Sequence, residues 1–322
     1  MGYHLARLLT DRGEKVRLLV RSSSSRSNIN CLDTRLVETV VGDLRDQASL
    51  QNALQGCDLL YHVAADYRLW AKNPEELYQS NVEGTRNILD AAKIAKVRRT
   101  VYTSTVGVIG IPHDGSPGDE NTPVSEIDMI GNYKHSKFQA EQVAVDYARN
   151  GMDIVIVNPS TPVGENDVKP TPTGKIIVDF LNGKLPAFVD TGLNLVDVHD
   201  VAEGMRLAAM KGVSGQRYIL GNKNISLKEM LTMLSNISGQ KPPSIRIPYS
   251  VAWMTVGIEN IIYDRLLGKE PPHSFEAVKM AKHKMYFSSD RARNELNFPC
   301  SPIETALERA VRWFRENGYA KG

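Results

Sequence analysis

Residues 133–158 read YKHSKFQAEQVAVDYARNGMDIVIVN, and residues 99–106 upstream of them read RTVYTSTV. The apolar spacing from Tyr133 to Arg149 predicts a helix. The β-rich run Asp153 to Asn158 predicts a strand, and Arg99 to Val106 predicts the strand before it. A strand, a covering helix and a second strand with apolar residues at successive positions make the unit of a parallel sheet buried on both faces. The same rhythm extends towards the N-terminus. Leu5, Leu8 and Leu9 mark a helix stopped by Gly13, and Lys15 to Val20 and Leu36 to Val41 read as strands. Ala48 to Leu54 reads as a helix, Asp58 to Ala65 as a strand and Pro74 to Ala95 as a long helix. The predicted fold class is α/β, a doubly wound parallel sheet of the dinucleotide-binding kind.

Beyond Gly164 the rhythm changes. Pro159, Pro162, Pro170, Pro172 and Pro186 cluster there, followed by helices over Gly174–Leu181, Asp200–Lys211 and Ser226–Ser238, and by a strand over Arg217–Leu220. Ser226 and Glu229 stand at capping-box spacing. Ile303 to Gly318 reads as an amphipathic helix. Residues 1–164 with about 191–222 are expected to form the dinucleotide-binding domain, and 165–190 with 223–322 an interleaved substrate-binding region.

The 322 residues carry 39 Lys and Arg against 37 Asp and Glu, a net charge of +2, which argues against a nucleic-acid surface. Cys31, Cys57 and Cys300 form neither a disulfide framework nor a zinc pattern, so the expectation is a reducing, cytoplasmic location with no metal site. No apolar run reaches membrane-spanning length. The best candidate, Tyr249 to Tyr263, is interrupted by Glu259 and reads as a buried or amphipathic helix.

A complete dinucleotide fold opens with a strand and a Gly-rich turn. Here Met1-Gly2-Tyr3 leads straight into a helix, with Gly2 where the third glycine of the turn falls, so the chain reads as truncated at its front. In the 3-2-1-4-5-6 order the strand that goes missing is central. Its neighbours are then expected two strand spacings apart, each spacing ~4.8 Å.

Tyr133 and Lys137 stand at i, i+4 on one helix face. A phenol with a free pKa near ~10 is a poor base, and a nearby ammonium lowers that value towards neutrality. Any amphipathic helix can contain this spacing by chance. The context is more specific: Thr103-Ser104-Thr105 closes the preceding strand, and ligands bind at strand ends in such sheets. A hydroxyl there can hold a substrate oxygen while Tyr133 moves its proton.

At this point the chain resembles the extended short-chain dehydrogenase/reductases, the NAD-dependent epimerase/dehydratase family with its Rossmann fold. The resemblance rests on Gly42-Asp43-Leu44, His62-Val63-Ala64-Ala65, Asn81-Val82-Glu83-Gly84-Thr85, Thr103-Ser104-Thr105, Tyr133 with Lys137, Asn158-Pro159-Ser160-Thr161-Pro162-Val163-Gly164 and Asp197-Val198-His199-Asp200. Dihydroflavonol-4-reductase-like proteins and the hopanoid-associated sugar epimerases are the nearest groups, the latter through Asn194 to Leu220. The resemblance implies Thr105 as the hydroxyl partner with Ser104 beside it, Tyr133 as acid and base, and Lys137 as its tuner and holder of the nicotinamide ribose. It implies Asn81 as a structural or relay residue. Asp43 and Leu44 would flank the adenine, Ala64 and Ala65 pass beneath the phosphates, and Pro159 and Ser160 line the nicotinamide. Gly2 is what remains of the phosphate turn. It further implies a homodimer through the helix of Tyr133 and the long helix before it.

The choice of dinucleotide is argued separately. An NAD enzyme places an acid about 20 residues past the turn, and Arg21 stands there instead. A guanidinium suits a 2′-phosphate, which favours NADP over NAD. His62, inside an apolar strand, reads as a hydrogen-bonded core residue. His199 reads as structural or at the substrate edge, and Trp70 as bordering the pocket or packing as a lid.

The expected activity is NAD(P)-dependent hydride chemistry on a small molecule, a sugar nucleotide or a related alcohol or carbonyl compound, with epimerisation or dehydration as outcome. An NADPH-dependent ketone or aldehyde reductase uses the same residues. A non-catalytic dinucleotide sensor, or an inactive truncated chain, is the reading from another class.

Overall fold

A computed structural model of the chain describes residues 1–68, 71, 73–266 and 275–321. Leu69 and Trp70 lie outside the described residues, so the reading of Trp70 falls there too. The order is α1 (Gly2–Asp11), β1 (Val16–Val20), β2 (Val37–Val41), α2 (Gln47–Leu54), β3 (Leu59–His62), α3 (Glu75–Tyr78), a π-helical turn (Gln79–Glu83), α4 (Gly84–Ile94), β4 (Arg99–Thr103) and α5 (Gly131–Arg149). Then follow β5 (Ile154–Pro159), β6 (Thr161–Val163), α6 (Pro172–Leu181), β7 (Ala187–Val189), β8 (Gly192–Asp197), α7 (Val198–Lys211), β9 (Arg217–Leu220) and β10 (Lys223–Ser226). The chain closes with α8 (Leu227–Ser238), β11 (Ile245–Ile247), α9 (Tyr249–Asn260), α10 (Phe275–Ala281) and α11 (Ile303–Glu316).

The parallel sheet is in two pieces. β1 pairs with β2 from Val16↔Val37 to Val20↔Val41. The other piece runs β3-β4-β5-β9, all parallel. Taken together the order is β2-β1, a break, then β3-β4-β5-β9, the interrupted doubly wound sheet that the sequence led us to expect. A cleft of about 2430 Å³ runs between β1 and β3, with Leu5, Ala6 and Leu9 of α1 among its walls. Burial follows this break. Every residue of β5 is buried, whereas β1 is half-buried throughout.

Alternation along the strands builds two cores, one per face. Val101, Val155, Val157 and Tyr218 pack on Leu5 of α1 and on Val201, Met205 and Ala208 of α7. Tyr102, Ile154 and Ile156 face the other way, onto Ile88 and Leu89 of α4 and Ala140 and Ala144 of α5. A third core joins α6, α8 and α11 through Ile177, Phe180, Leu231, Leu307 and Phe314. It sits beside the small sheet β10-β8-β6.

Two expectations need correction. The strand over Asp58–Ala65 is hydrogen-bonded only over Leu59–His62, and Val63 to Ala65 leave the sheet as extended wall of the cleft. The helix over Pro74–Ala95 is interrupted by the π-helical turn Gln79–Glu83. An extra residue inserted in a helix turns one side chain out of register, and such turns gather at functional positions. Among the described residues no helix is long and apolar enough to cross a membrane.

Candidate active site

β4 ends at Thr103, and Ser104 and Thr105 follow at the mouth of the cleft. Thr105 caps the short 3₁₀ turn Val106–Val108, its Oγ1 accepting from the Gly107 amide at 3.0 Å. The adjacent strand supplies Asn158, whose Nδ2 donates to the Thr105 carbonyl at 3.1 Å and to Glu141 Oε2 at 2.8 Å. Glu141 is buried in α5 and paired with Arg217 Nε at 2.8 Å. A buried carboxylate held by a guanidinium and an amide therefore locks α5 against the strand end that carries Thr105.

α5 begins at Gly131, in the left-handed region with φ +79°. A Cβ there would lie 2.3 Å from Glu276 Cγ of α10, so both conformation and space call for glycine. Two residues on, Tyr133 enters the cleft close to the Thr105 hydroxyl. Burial pushes the Tyr133 phenol up to about 12, and the nearby Thr105 hydroxyl pulls against that rise.

Lys137 is buried one turn along. Its Nζ donates to the Thr103 carbonyl at 2.9 Å and to the Tyr102 hydroxyl at 3.2 Å. Burial lowers this ammonium to about 8, with the Glu141 charge opposing. Here burial, rather than the Lys137 charge, is the main influence on the phenol. Lys134, also buried, is lowered to about 8 by burial as well.

Asn81 sits in the π-helical turn and is buried. Its Nδ2 donates to Ser136 Oγ at 2.9 Å and to the Asp66 carbonyl at 3.0 Å, and its Oδ1 accepts from the Asp66 amide at 2.8 Å. Asn81 thus staples the loop after β3 to the helix of Tyr133. Gly84, at the start of α4, permits close approach: a Cβ there would meet Leu44 Cβ at 3.0 Å.

Gly2, Leu44, Ala64, Ala65, Ser104, Thr105, Tyr133, Lys137, Pro159 and Ser160 all border the one cleft. Asn81 acts from behind it. Asp43 and Arg21 are not among the residues that line it; Asp43 is gripped by Arg45 at 2.8 Å and held down to about 2 chiefly by that bond. Arg21 is exposed, and its charge also acts on Asp43. The Oγ1 of Thr103 and the Oγ atoms of Ser104 and Ser160 are buried without a hydrogen-bond partner among the described residues, and all three residues line this cleft. Orphaned hydroxyls on a cleft wall call for a polar ligand. A dinucleotide's ribose and carboxamide fit them.

Tyr102, Ser136, Glu141, Asn158 and Arg217 carry no role in the sequence reading, yet each holds a member of the site. Glu141 alone left a signal, at one helical turn from Lys137. His62 is buried and bonded to Thr85 Oγ1 at 3.1 Å, the core histidine the sequence suggests. His199 Nε2 lies 2.7 Å from Glu165 Oε1, and a ring nitrogen of His4 comes within 4.8 Å of both groups. No residue near His199 in the chain stands at ligand spacing, yet the fold brings His4 and Glu165 beside it. Arg309 takes the other Glu165 oxygen at 3.0 Å, which makes the group an ion-pair network.

A doubly wound parallel sheet with a tyrosine, a lysine and a hydroxyl at its strand ends defines the NAD(P)-dependent oxidoreductases of the extended short-chain type. The chain belongs to the NAD dependent epimerase/dehydratase family, whose sequence model matches residues 1–221. It is 47% identical over 331 residues, spanning 100% of this chain and 93% of the relative, to the Synechocystis protein named "Putative dihydroflavonol 4-reductase". It is 33% identical over 322 residues to sterol demethylase protein B of Methylococcus capsulatus, spanning 99% of this chain and 96% of the relative. Among solved structures, a nucleoside-diphosphate-sugar epimerase from Pseudomonas aeruginosa superposes with a TM-score of 0.82 at 26% identity, covering 99% of this chain and 95% of that one. The enzyme is NAD(P)-dependent, and family members include both reductases and epimerases.

Proposed function

We propose that the chain interconverts a secondary alcohol and its ketone with NADP(H), working as a carbonyl reductase. The convergence of Thr105, Tyr133 and Lys137 on one cleft carries this reading. Thr105 Oγ1 holds the substrate oxygen, and Tyr133 Oη gives it a proton in reduction or takes one in oxidation. Lys137 lies close enough to its Thr103 anchor to hold a ribose hydroxyl at the same strand end. The dinucleotide, when bound, supplies the hydride. Asn81 and Ser136 keep the helix of Tyr133 in register with the loop after β3. Residues 1–164 with about 191–222 serve the dinucleotide in this reading, and 165–190 with 223–322 enclose the substrate.

Reductase is favoured over sugar epimerase because the relatives of greatest identity reported above carry reductase and demethylase names, at 47% and 33%. NADP is favoured because Asp43 is already neutralised by Arg45, which leaves the exposed Arg21 guanidinium for a 2′-phosphate. The resemblance to hopanoid-associated epimerases fits a bulky substrate, and cytoplasmic residence goes with the same reading.

The test follows NADPH oxidation with bulky ketones, and product composition with UDP-sugars. Net NADPH consumption with ketones and no sugar isomerisation is expected. Isomerisation without net consumption overturns the reductase reading. Arg21→Asp is expected to weaken NADPH binding about tenfold relative to NADH, the worth of one charge-assisted contact; an unchanged ratio overturns the NADP assignment.

A further inference from the structure

Lys134 follows Tyr133 on α5 and is 7% exposed. A buried ammonium carries three donors and one charge, and both are normally met inside a fold. Lys137 meets them with a hydroxyl, a carbonyl and the nearby Glu141. Lys134 does not. Among the described residues its Nζ has one polar contact, the thioether sulfur of Met285 at 4.0 Å. Desolvation acts on it with no carboxylate in opposition. A leucine or methionine would fill this space at lower free-energy cost, so the charge calls for a partner that the chain itself lacks.

Its position says where that partner lies. A Cβ built on Gly107 would meet Lys134 Cε at 3.5 Å and Thr105 Oγ1 at 3.4 Å. The Lys134 side chain therefore reaches the same glycine as the hydroxyl that, in the proposed function, holds the reacting oxygen. Gly107, lacking a side chain, lets both groups approach the same stretch of backbone.

We propose that Lys134 is the anchor for a carboxylate carried by the substrate within a few bonds of the reacting carbonyl, so that the enzyme acts on oxo acids and the corresponding hydroxy acids. The inference rests on the carbonyl reductase reading and names its substrate class. A single enclosed ammonium matches a compact monoanion. A nucleoside diphosphate carries more charge and calls for several cations. Met285 and the apolar residues beside it, Val106 and Ile109, leave the carboxylate few other donors.

The experiment compares a 2-alkyl-3-oxo acid with its methyl ester, using the full chain with NADPH. Wild type is expected to prefer the acid, by about 30-fold or more in kcat/KM, the worth of a buried charge-assisted hydrogen bond. Lys134→Met is expected to lose that preference while reducing the ester within about threefold of wild type, and Lys134→Arg to keep part of it. Lys134→Met removes a desolvated charge, so its melting temperature serves as the folding control. An acid-to-ester ratio that is unchanged in Lys134→Met, or a wild type that prefers the ester, overturns the carboxylate anchor and leaves the reductase reading intact. If neither compound is reduced, the reductase reading fails. The anchor is then decided by thermal shift with the corresponding 3-hydroxy acid, where stabilisation of wild type but not of Lys134→Met supports it and equal shifts overturn it.

Discussion

Tyr133 sits in surroundings that make it a strong proton holder: burial keeps its phenol protonated, up to about 12, and Thr105 is its immediate neighbour. A protonated phenol beside a carbonyl is set for reduction. Tyr133→Phe is expected to lower kcat by about 10²- to 10⁴-fold, the usual contribution of one positioned acid, with a small change in melting temperature. A kcat within threefold of wild type, measured by NADPH oxidation, removes Tyr133 from the chemistry. His62 makes a separate prediction at this scale. Burial lowers it to about 3, with the Lys137 charge adding to the effect, while the unfolded chain titrates near 6.5. Its neutral form contributes stability that is whole above pH 6.5 and is lost as the pH falls towards about 3. That amounts to about 2 kcal/mol between pH 7 and pH 5. Chemical unfolding of wild type and His62→Gln at the two pH values checks it: the variant should lose less by about that amount.

The helix that carries Tyr133, Lys134 and Lys137 is placed by its first residue and by its partners. Gly131 is left-handed and closely approached by Glu276. Gly131→Ala is expected to destabilise the fold by about 1–2 kcal/mol, from the left-handed penalty for an L side chain together with displacement of α10. The start of α5 moves with it, so kcat should fall as well. Unfolding curves and steady-state assays on the same preparation test both, and an alanine variant with unchanged Tm would show that α10 yields freely. The π-helical turn at Gln79–Glu83 does comparable work from behind, since Asn81 reaches both Asp66 and Ser136 from it. Helical periodicity made α5 plain in the sequence. The π-helical turn escaped it, because one inserted residue leaves no mark in an apolar pattern that is otherwise continuous.

Across the molecule, the break between β1 and β3 divides a rigid part from a looser one. β4 and β5 have a strand on each side and are almost wholly buried. β1 and β3 each have one strand neighbour among the described residues, with the cleft on the other side. Local opening follows such differences in burial and pairing. Hydrogen exchange is expected to be faster by an order of magnitude or more for amides of β1 and β2 than for those of β4 and β5. Equal protection in both pieces would show that the cleft closes in solution.

The alternation of strands and helices, the break in the sheet, the Tyr133–Lys137 spacing and the hydroxyls ending β4 were all legible from the residues alone. Each is written in short-range order, where backbone geometry turns a period of two or 3.6 into a face. The third dimension decided which groups meet. It set Lys137 on Tyr102 and Thr103, Asn81 on Ser136, Glu141 on Arg217, and Lys134 near Thr105 with no acid to match it among the described residues. It also gathered His4, Glu165 and His199 from positions far apart in the chain. Contacts of this kind depend on how whole elements pack, and the charge a buried group can sustain depends on the neighbours that packing brings. No local pattern of residues contains that information.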